Sequence, residues 1–345
     1  MPKTLLVLNY CMDETDQALS HQVTVVNRLA SYFDQIYVIT GRVGECKVNK
    51  NVLIVDTQWI PNQNIRNVFK FYRELFKLLK DKEIDSVFSH MSTIQSLLSA
   101  PIMRLSKKRH VLWYAHKSNS LSLSILKFLV DGFVTSTAGS FPFKSKKLTV
   151  IGQGIDEELF RFRVRNFKSR AKAIHIGRFD PSKNNGLLIK SIESKREMYP
   201  NLELTIIGNA SNSRSIEHKE QIISGLSRAQ VDWVHFKPAI TRAAIPEFLS
   251  AYDFFIHGFI GSLDKILIEC TLVGIPVISI NPEYLNIFGG WNFATIDSQC
   301  LLEEELAGFL KLSEQAIEVE VNRRYKIAVE FHTLNQWIVH LVQIL

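Results

Sequence analysis

The sequence predicts an α/β protein made of two doubly wound, Rossmann-like domains facing a cleft. Three observations lead there. Short, unbroken apolar runs alternate with helical patterns through both halves of the chain, as in parallel sheets covered on both faces. The alternation is interrupted by one polar, cationic stretch, GIDEELFRFRVRNFKSRAK, from Gly154 to Lys172. The chain, at 345 residues, is also longer than a single core usually supports.

In the first half, TLLVLN, QIYVIT, NVLIVD, DSVFSH, HVLWYAH, GFVTST and LTVIG read as buried strands. Helices are expected over Ala18–Tyr32, Ile65–Lys82, Thr93–Ser106 and Ser122–Leu129. In the second half the strands are AIHIG, LELTIIG, VDWVHF, DFFIHG and PVISI. Helices near Gly186–Met198, Ser215–Ala229, Ala243–Ala251 and Lys265–Val273 separate them. The domains are assigned as 1–160 and 161–330. A helical tail over 331–345, ending in FHTLNQWIVHLVQIL, is expected to cross back to the first domain.

Composition narrows the function classes. A hydrophobic content of 46% with 22% charged residues is that of a soluble globular protein. Cys11, Cys46, Cys270 and Cys300 form no CxxC pair and accompany no zinc-spaced histidines, so they read as reduced thiols of a cytoplasmic protein. TLLVLN is strand length and is soon followed by MDETD, which is no secretory leader. No apolar run is long enough to span a membrane. Residues 1–150 carry 20 Lys+Arg against 11 Asp+Glu, whereas 151–345 carry 21 against 23. The basic first half lacks any nucleic-acid motif, and nucleic acid is set aside. Its helix NIRNVFKFYRELFKLLK, with MRLSKKRH and FKSKK nearby, suits a peripheral contact with an anionic membrane surface; core packing plus a solvated cationic face is the plainer alternative.

Two stretches of the second half carry the chemistry. GRFDPSK runs from Gly177 to Lys183 and sets Arg178 and Lys183 just past a strand. GSLDKILIECTLVGIPVIS, from Gly261, turns through Ser262, Leu263, Asp264 and Lys265 into a helix bearing Glu269. Cations and free helix N-terminal amides in one crevice suit a diphosphate. Glu269 lies on an apolar helix face, where an ionised carboxylate needs a ligand or a structural partner. Asp264 and Lys265 have a plainer reading as an exposed first turn. No metal cluster is spaced at this crevice.

These motifs, in this order, resemble the family 4 group of retaining glycosyltransferases, which adopt the GT-B two-domain fold. GRFDPSKN looks like that family's GR(L/F)xxxKG motif. The succession ELTIIG, VHF, AYDFFIH, SLDKxLxE and GxPVIS follows the family order. The resemblance implies a nucleoside-diphosphate-sugar donor, a carbohydrate or lipid-linked acceptor and no metal. Arg178 and Lys183, opened by Gly177, would bind the diphosphate and stabilise the leaving nucleotide, and Glu269 would accept from the ribose. Backbone from Ser262 to Lys265 would meet phosphate and sugar. Backbone at Ala239 and Ile240 would frame the base. His116 would face the donor sugar from the N-terminal, acceptor-side domain.

Two departures stand out. The family's E-x7-E pattern has Gly261 in place of its first carboxylate, and Asp264 is the nearby candidate to contact sugar hydroxyls instead. The family's early Gly-Gly loop is replaced by DETDQALSHQ, where His21 and Gln22 are candidate contacts. The expected activity is hexosyl transfer with retention, in cell-surface polysaccharide or glycoconjugate synthesis. The alternatives are a catalytically silent GT-B-fold partner or glycan-binding protein, and a nucleotide-sugar epimerase.

Overall fold

A computed structural model describes residues 3–16, 19–210, 212–292 and 302–345. Ala18, which opens the first expected helix, and Cys300 lie outside the described residues. The chain divides into one unit comprising residues up to Asp156 together with Leu334–Leu345, and a second unit, Glu157–Thr333. The break falls a few residues before 160/161 and the return a few residues after 330/331.

The first unit is a wholly parallel sheet of β1 (Thr4–Met12), β2 (Gln35–Val43), β3 (Val52–Asp56), β4 (Ser86–His90), β5 (Arg109–Trp113), β6 (Gly132–Thr135) and β7 (Leu148–Val150), in the order β3-β2-β1-β4-β5-β6-β7. Its crossovers contain α1 (His21–Leu29), α2 (Asn64–Asp81), α3 (Thr93–Leu105) and α4 (Leu121–Leu129). The unbroken apolar strands follow from burial on both faces. Leu5 and Val7 of β1 enter a core with Val23, Val26 and Leu29 of α1. The alternate residues Leu6 and Leu8 enter another with Phe71, Leu75 and Leu78 of α2. Burying each such side chain is worth about 1.5–3 kcal/mol.

The second unit contains the parallel strands β8 (Lys172–Ile176), β9 (Glu203–Ile207), β10 (Val234–Lys237), β11 (Phe254–His257) and β12 (Val277–Ser279), ordered β10-β9-β8-β11-β12. Around them lie α5 (Asn185–Arg196), α6 (Ser213–Ser224), α7 (Arg228–Val231), α8 (Ile245–Ser250), α9 (Lys265–Val273), α10 (Pro282–Phe288), α11 (Leu302–Lys311) and α12 (Glu314–His332). The single helix expected over Ser215–Ala229 is two, because Ser227 starts α7 afresh with a capping box to Gln230. α10, which the sequence reading passes over, is capped by Asn281 with Pro282 at its first position. α13 (Leu334–Ile344) belongs to the first unit, where Leu334, Trp337, Ile338 and Leu341 complete the core shared with α1.

Each sheet has one point where strand order reverses, between β1 and β4 in the first and between β8 and β11 in the second. Ligands of doubly wound sheets gather beyond the C-terminal strand ends at such points.

Candidate functional site

In the second unit, β8 leads into Gly177, Arg178 and a 3-10 turn, Pro181–Lys183, before α5. The loop leaves the sheet tightly: a Cβ on neighbouring Gly208 would lie 1.8 Å from the Gly177 carbonyl oxygen, so only glycine fits there. Asp180 starts the turn by accepting from the Ser182 amide at 2.9 Å. That amide and the Ser182 hydroxyl, with weaker help from Arg178, hold the Asp180 carboxyl below its ordinary range. Asn184, standing where the family motif has glycine, adopts the left-handed conformation (φ 54°) and donates to the Gly258 carbonyl at 2.7 Å. Asparagine tolerates that conformation, and the bond ties the loop to the end of β11.

The loop from β11 to α9 is pinned from the other side. Asn281 Nδ2 donates to the carbonyls of Phe259 at 3.0 Å and Ser262 at 3.1 Å. Ser262 and Leu263 are buried. Asp264 is the N-cap residue of α9, yet its side chain makes no capping bond. Its carboxylate instead takes the Lys183 ammonium and faces His257 Nε2 at 3.4 Å. The Asp264 carboxyl is held far below its usual range: burial opposes this, and Lys183 and His257 outweigh it. Burial keeps His257 neutral against the pull of Asp264, so Nε2–H donates to Asp264 while Nδ1 lies 3.3 Å from the Ser279 hydroxyl.

Asp264 is thus the counter-ion of Lys183. The place of the family's first carboxylate is filled as well. A Cβ on Gly261 would lie 2.0 Å from Phe259 Cζ, and the Lys183 ammonium sits 4.2 Å from that ring's centroid. No side chain fits at 261 while Phe259 keeps this position.

Glu269 is 2% exposed, on a helix whose residues Ile266 to Val273 are all buried. Its partner is a residue the sequence reading did not single out. Arg242, opening the 3-10 turn Arg242–Ala244, places Nη2 2.6 Å from Glu269 Oε1. Burial pushes the Glu269 carboxyl up, and Arg242 then Lys265 pull it back. Burial, reinforced by Arg242, lowers the Lys265 ammonium to about 7. Ala239 and Ile240 lie in the loop between β10 and that turn, with the Ala239 amide donating to Asn209 Oδ1 at 3.1 Å. Arg178 is exposed. An anion arriving here would meet Lys183 already paired and Arg178 open to solvent.

His21 and His116 belong to the first unit. His21 starts α1 and packs edge-on to His90, with ring centroids 5.4 Å apart, beside the β1/β4 reversal. His116 is exposed and its Nδ1 accepts from the Ser118 amide at 3.1 Å. Gln22 is buried, its side-chain oxygen 3.4 Å from the Cys11 amide. The second unit thus brings together Lys183, Asp264, Lys265 and Glu269 of the expected residues and adds Arg242, His257 and Phe259. Among the described residues no group of three His, Cys, Asp or Glu side chains is placed to hold a metal ion, and no helix is long and apolar enough to cross a membrane.

Residues 156–286 match the family model described as Glycosyl transferases group 1. No curated protein matches the chain. Among solved structures, Anabaena Alr3699/HepE in complex with UDP-glucose is similar at a TM-score of 0.72 and 15% identity, with 99% of this chain and 100% of that one covered. Sucrose-phosphate synthase from Thermosynechococcus elongatus gives 0.75 and 13%, covering 99% and 98%. A glycosyltransferase from Rickettsia africae ESF-5 gives 0.73 and 11%, covering 99% and 97%. At these identities the likeness is one of fold, and that fold is GT-B. The matched stretch, residues 156–286, contains every site residue just described in the second unit.

Proposed function

We propose that this protein transfers a hexose-type unit from a nucleoside-diphosphate sugar to a carbohydrate or lipid-linked acceptor, with retention at the anomeric carbon. The observation that carries this is the row of charges beyond β8 and β11: Lys183 and Asp264 in contact, then Lys265, Glu269 and Arg242, inside the glycosyl transferases group 1 match. Alr3699/HepE is described in complex with UDP-glucose, which favours a uridine nucleotide as the first donor to try.

Catalysis would rest on placed charge and not on a protein nucleophile. The diphosphate would displace Asp264 as the partner of Lys183, with Arg178 joining it. The first-turn amides of α9, left without a side-chain cap, would face the phosphate. These donors would stabilise the departing nucleotide without a divalent ion. The acceptor hydroxyl would then attack from the same face and give its proton to the leaving phosphate oxygen. The work would take place in the cytoplasm, at the inner face of the membrane, in cell-surface polysaccharide or glycoconjugate synthesis. The basic surplus of the first half and the exposure of Leu105, Leu121 and Phe128 support that placement.

One observation favours a second reading, a silent nucleotide-sugar-binding protein: Lys183 already has a carboxylate, and Phe259 fills the place of the family's first acid. A thermal-shift screen with UDP-, GDP-, ADP- and dTDP-sugars, followed by NMR of the anomeric product, tests both. Stabilisation by one donor with transfer of an α-configured sugar supports the transferase. Stabilisation with neither transfer nor hydrolysis across an acceptor panel supports the silent reading. No stabilisation by any donor would remove both.

A further inference from the structure

Lys183 and Asp264 form a closed pair over a histidine. Lys183 comes from the turn before α5, Asp264 from the start of α9 and His257 from the last position of β11. The Lys183 ammonium contacts one carboxylate oxygen of Asp264, and His257 Nε2 faces the same oxygen at 3.4 Å. The Lys183 side chain is 13% exposed, that of Asp264 23%, and that of His257 is wholly buried. With the imidazole neutral, the three groups together carry no net charge. A diphosphate that takes Lys183 leaves Asp264 as a mostly enclosed anion beside further negative charge. That arrangement is costly unless another positive charge enters.

We infer that donor capture is coupled to uptake of a proton by His257, which replaces Lys183 as the counter-ion of Asp264. This rests on the diphosphate reading above. The proton comes from solvent and binds Nδ1, the ring nitrogen that accepts from the Ser279 hydroxyl while the imidazole is neutral. Nε2–H stays on Asp264. The Ser279 hydroxyl turns away, and its Oγ, 3.3 Å from Nδ1, accepts from the new N–H. That oxygen already accepts from the Asn281 amide at 3.1 Å, and a hydroxyl oxygen has two lone pairs. The three groups gain one positive charge, which offsets part of what the diphosphate brings.

The groups around His257 favour this exchange. Lys183 opposes a charge on the imidazole and Asp264 favours it; a phosphate on Lys183 cancels the first influence and leaves the second. Ser279 closes the β12 side, and His175 of β8 lies with its ring centroid 5.9 Å away. His175 is a poor acceptor for the proton, since its Nδ1 is 2.9 Å from the Ile256 carbonyl oxygen and burial holds it at about 3. Asp264 also acts on Lys265, Glu269 and Cys270. Of these Lys265, lowered to about 7, is the rival site of uptake, because an arriving phosphate would favour its charged form as well.

The test is titration calorimetry on the full chain at pH 7 with UDP-glucose, GDP-mannose and ADP-glucose, in two buffers of different ionisation enthalpy. The phosphates of these diesters do not titrate near pH 7, so a proton exchanged belongs to the protein. The wild type should take up about half a proton or more, and its affinity should weaken on the alkaline side by up to about tenfold per pH unit. Asp264→Asn frees Lys183 and removes the reason for His257 to charge. It should bind about threefold or more tightly and lose most of the uptake. His257→Gln keeps an N–H for Asp264 but cannot take a proton; it should lose the uptake and bind about tenfold more weakly. Lys265→Met should keep the uptake. Uptake that persists unchanged in Asp264→Asn, or vanishes in Lys265→Met, puts the proton on Lys265 and overturns the inference. Wild-type binding with no proton exchange also overturns it and leaves the donor-site reading standing. Should His257→Gln not fold, Asp264→Asn decides by itself. A wild type that binds none of the three overturns the donor-site reading and the coupling with it.

Discussion

The two sheets end in opposite chemistries at equivalent topological points. Beyond β1 and β4 the first unit offers rings: His21 against His90, and His90, Trp113 and Phe88 around Trp337. Beyond β8 and β11 the second unit offers charges: Lys183, Asp264, Lys265, Glu269 and Arg242. Yet overall charge runs the other way, since residues 1–150 carry the basic surplus and the rest are close to balanced. Net charge describes a surface, and a site is decided by which charges the fold brings beyond the strand ends. The basic surplus of the first half is thus a property of its surface, and the charges beyond β8 and β11 are the group proposed above to meet phosphate.

The largest expected effect separates the two ends directly. Lys183→Ala removes the cation nearest the proposed leaving group and should lower turnover by about 10²–10³-fold, as losing one oxyanion donor does. His21→Ala, at the corresponding point of the first unit, should cost less than about tenfold in the same assay. Equal losses would erase the contrast between a charged, chemical end and a neutral, binding end. The melting temperature of each variant reports whether the fold is intact.

That contrast was only half legible beforehand. Alternating apolar runs are a strong local signal, and each strand read from the sequence has its counterpart in β1 to β12. Lys265–Val273 is helical at the bounds expected. The buried Glu269 could be anticipated because a lone acid among ILIECTLV must face the core or a ligand. Its partner could not. Arg242 sits in a short 3-10 turn with no periodicity to mark it, and only the packing of that turn on α9 brings the two together. The partners of Asp264 were hidden for a similar reason: the sequence shows only its place before a helix, while the end of β11 and the turn before α5 give it His257 and Lys183. α10 was passed over although Asn281 and Pro282 form a usable start signal, because seven residues carry little helical period.

A smaller effect should appear on acidification, again divided between the units. Burial holds His110 of the first unit at about 4, and in the second unit it holds His175 at about 3 and His332 at about 4 and lowers His257. Unfolded histidine, at 6.5, takes up a proton that these folded groups refuse. Between about pH 6.5 and pH 4 the unfolded state binds more protons, and stability falls as pH falls, by up to about 1.4 kcal/mol per pH unit for each histidine. Glu269, whose carboxyl is pushed up by burial, opposes this as a single group. Asp264, held low by Lys183 and His257, keeps its contribution until more acid pH. Hydrogen exchange at pH 7 and pH 5 should therefore show the second unit losing protection first. Earlier loss in the first unit would mean the buried histidines do not govern the acid limb.

The smallest effect on the fold concerns the outer surface of the first unit. Leu105 ends α3 at 85% exposure and Phe128, near the end of α4, is 71% exposed. Arg104 joins the two helix ends by donating to the Phe128 carbonyl at 2.9 Å. Lys127 reaches towards the Phe143 ring, and Lys147 donates to the Val130 carbonyl at 2.8 Å. Apolar side chains left in water beside cations suit an anionic bilayer, where the chains enter the interface and the cations meet lipid phosphate. Leu105→Ser and Phe128→Ser should each shift stability by less than about 0.5 kcal/mol, since neither side chain is in the core. Each should weaken flotation with phosphatidylserine vesicles at low salt, by about fivefold if about 1 kcal/mol of apolar insertion is lost. Turnover with a water-soluble acceptor should not change. Flotation that is unaffected, or absent in the wild type, would reduce the surplus of the first half to ordinary solvation.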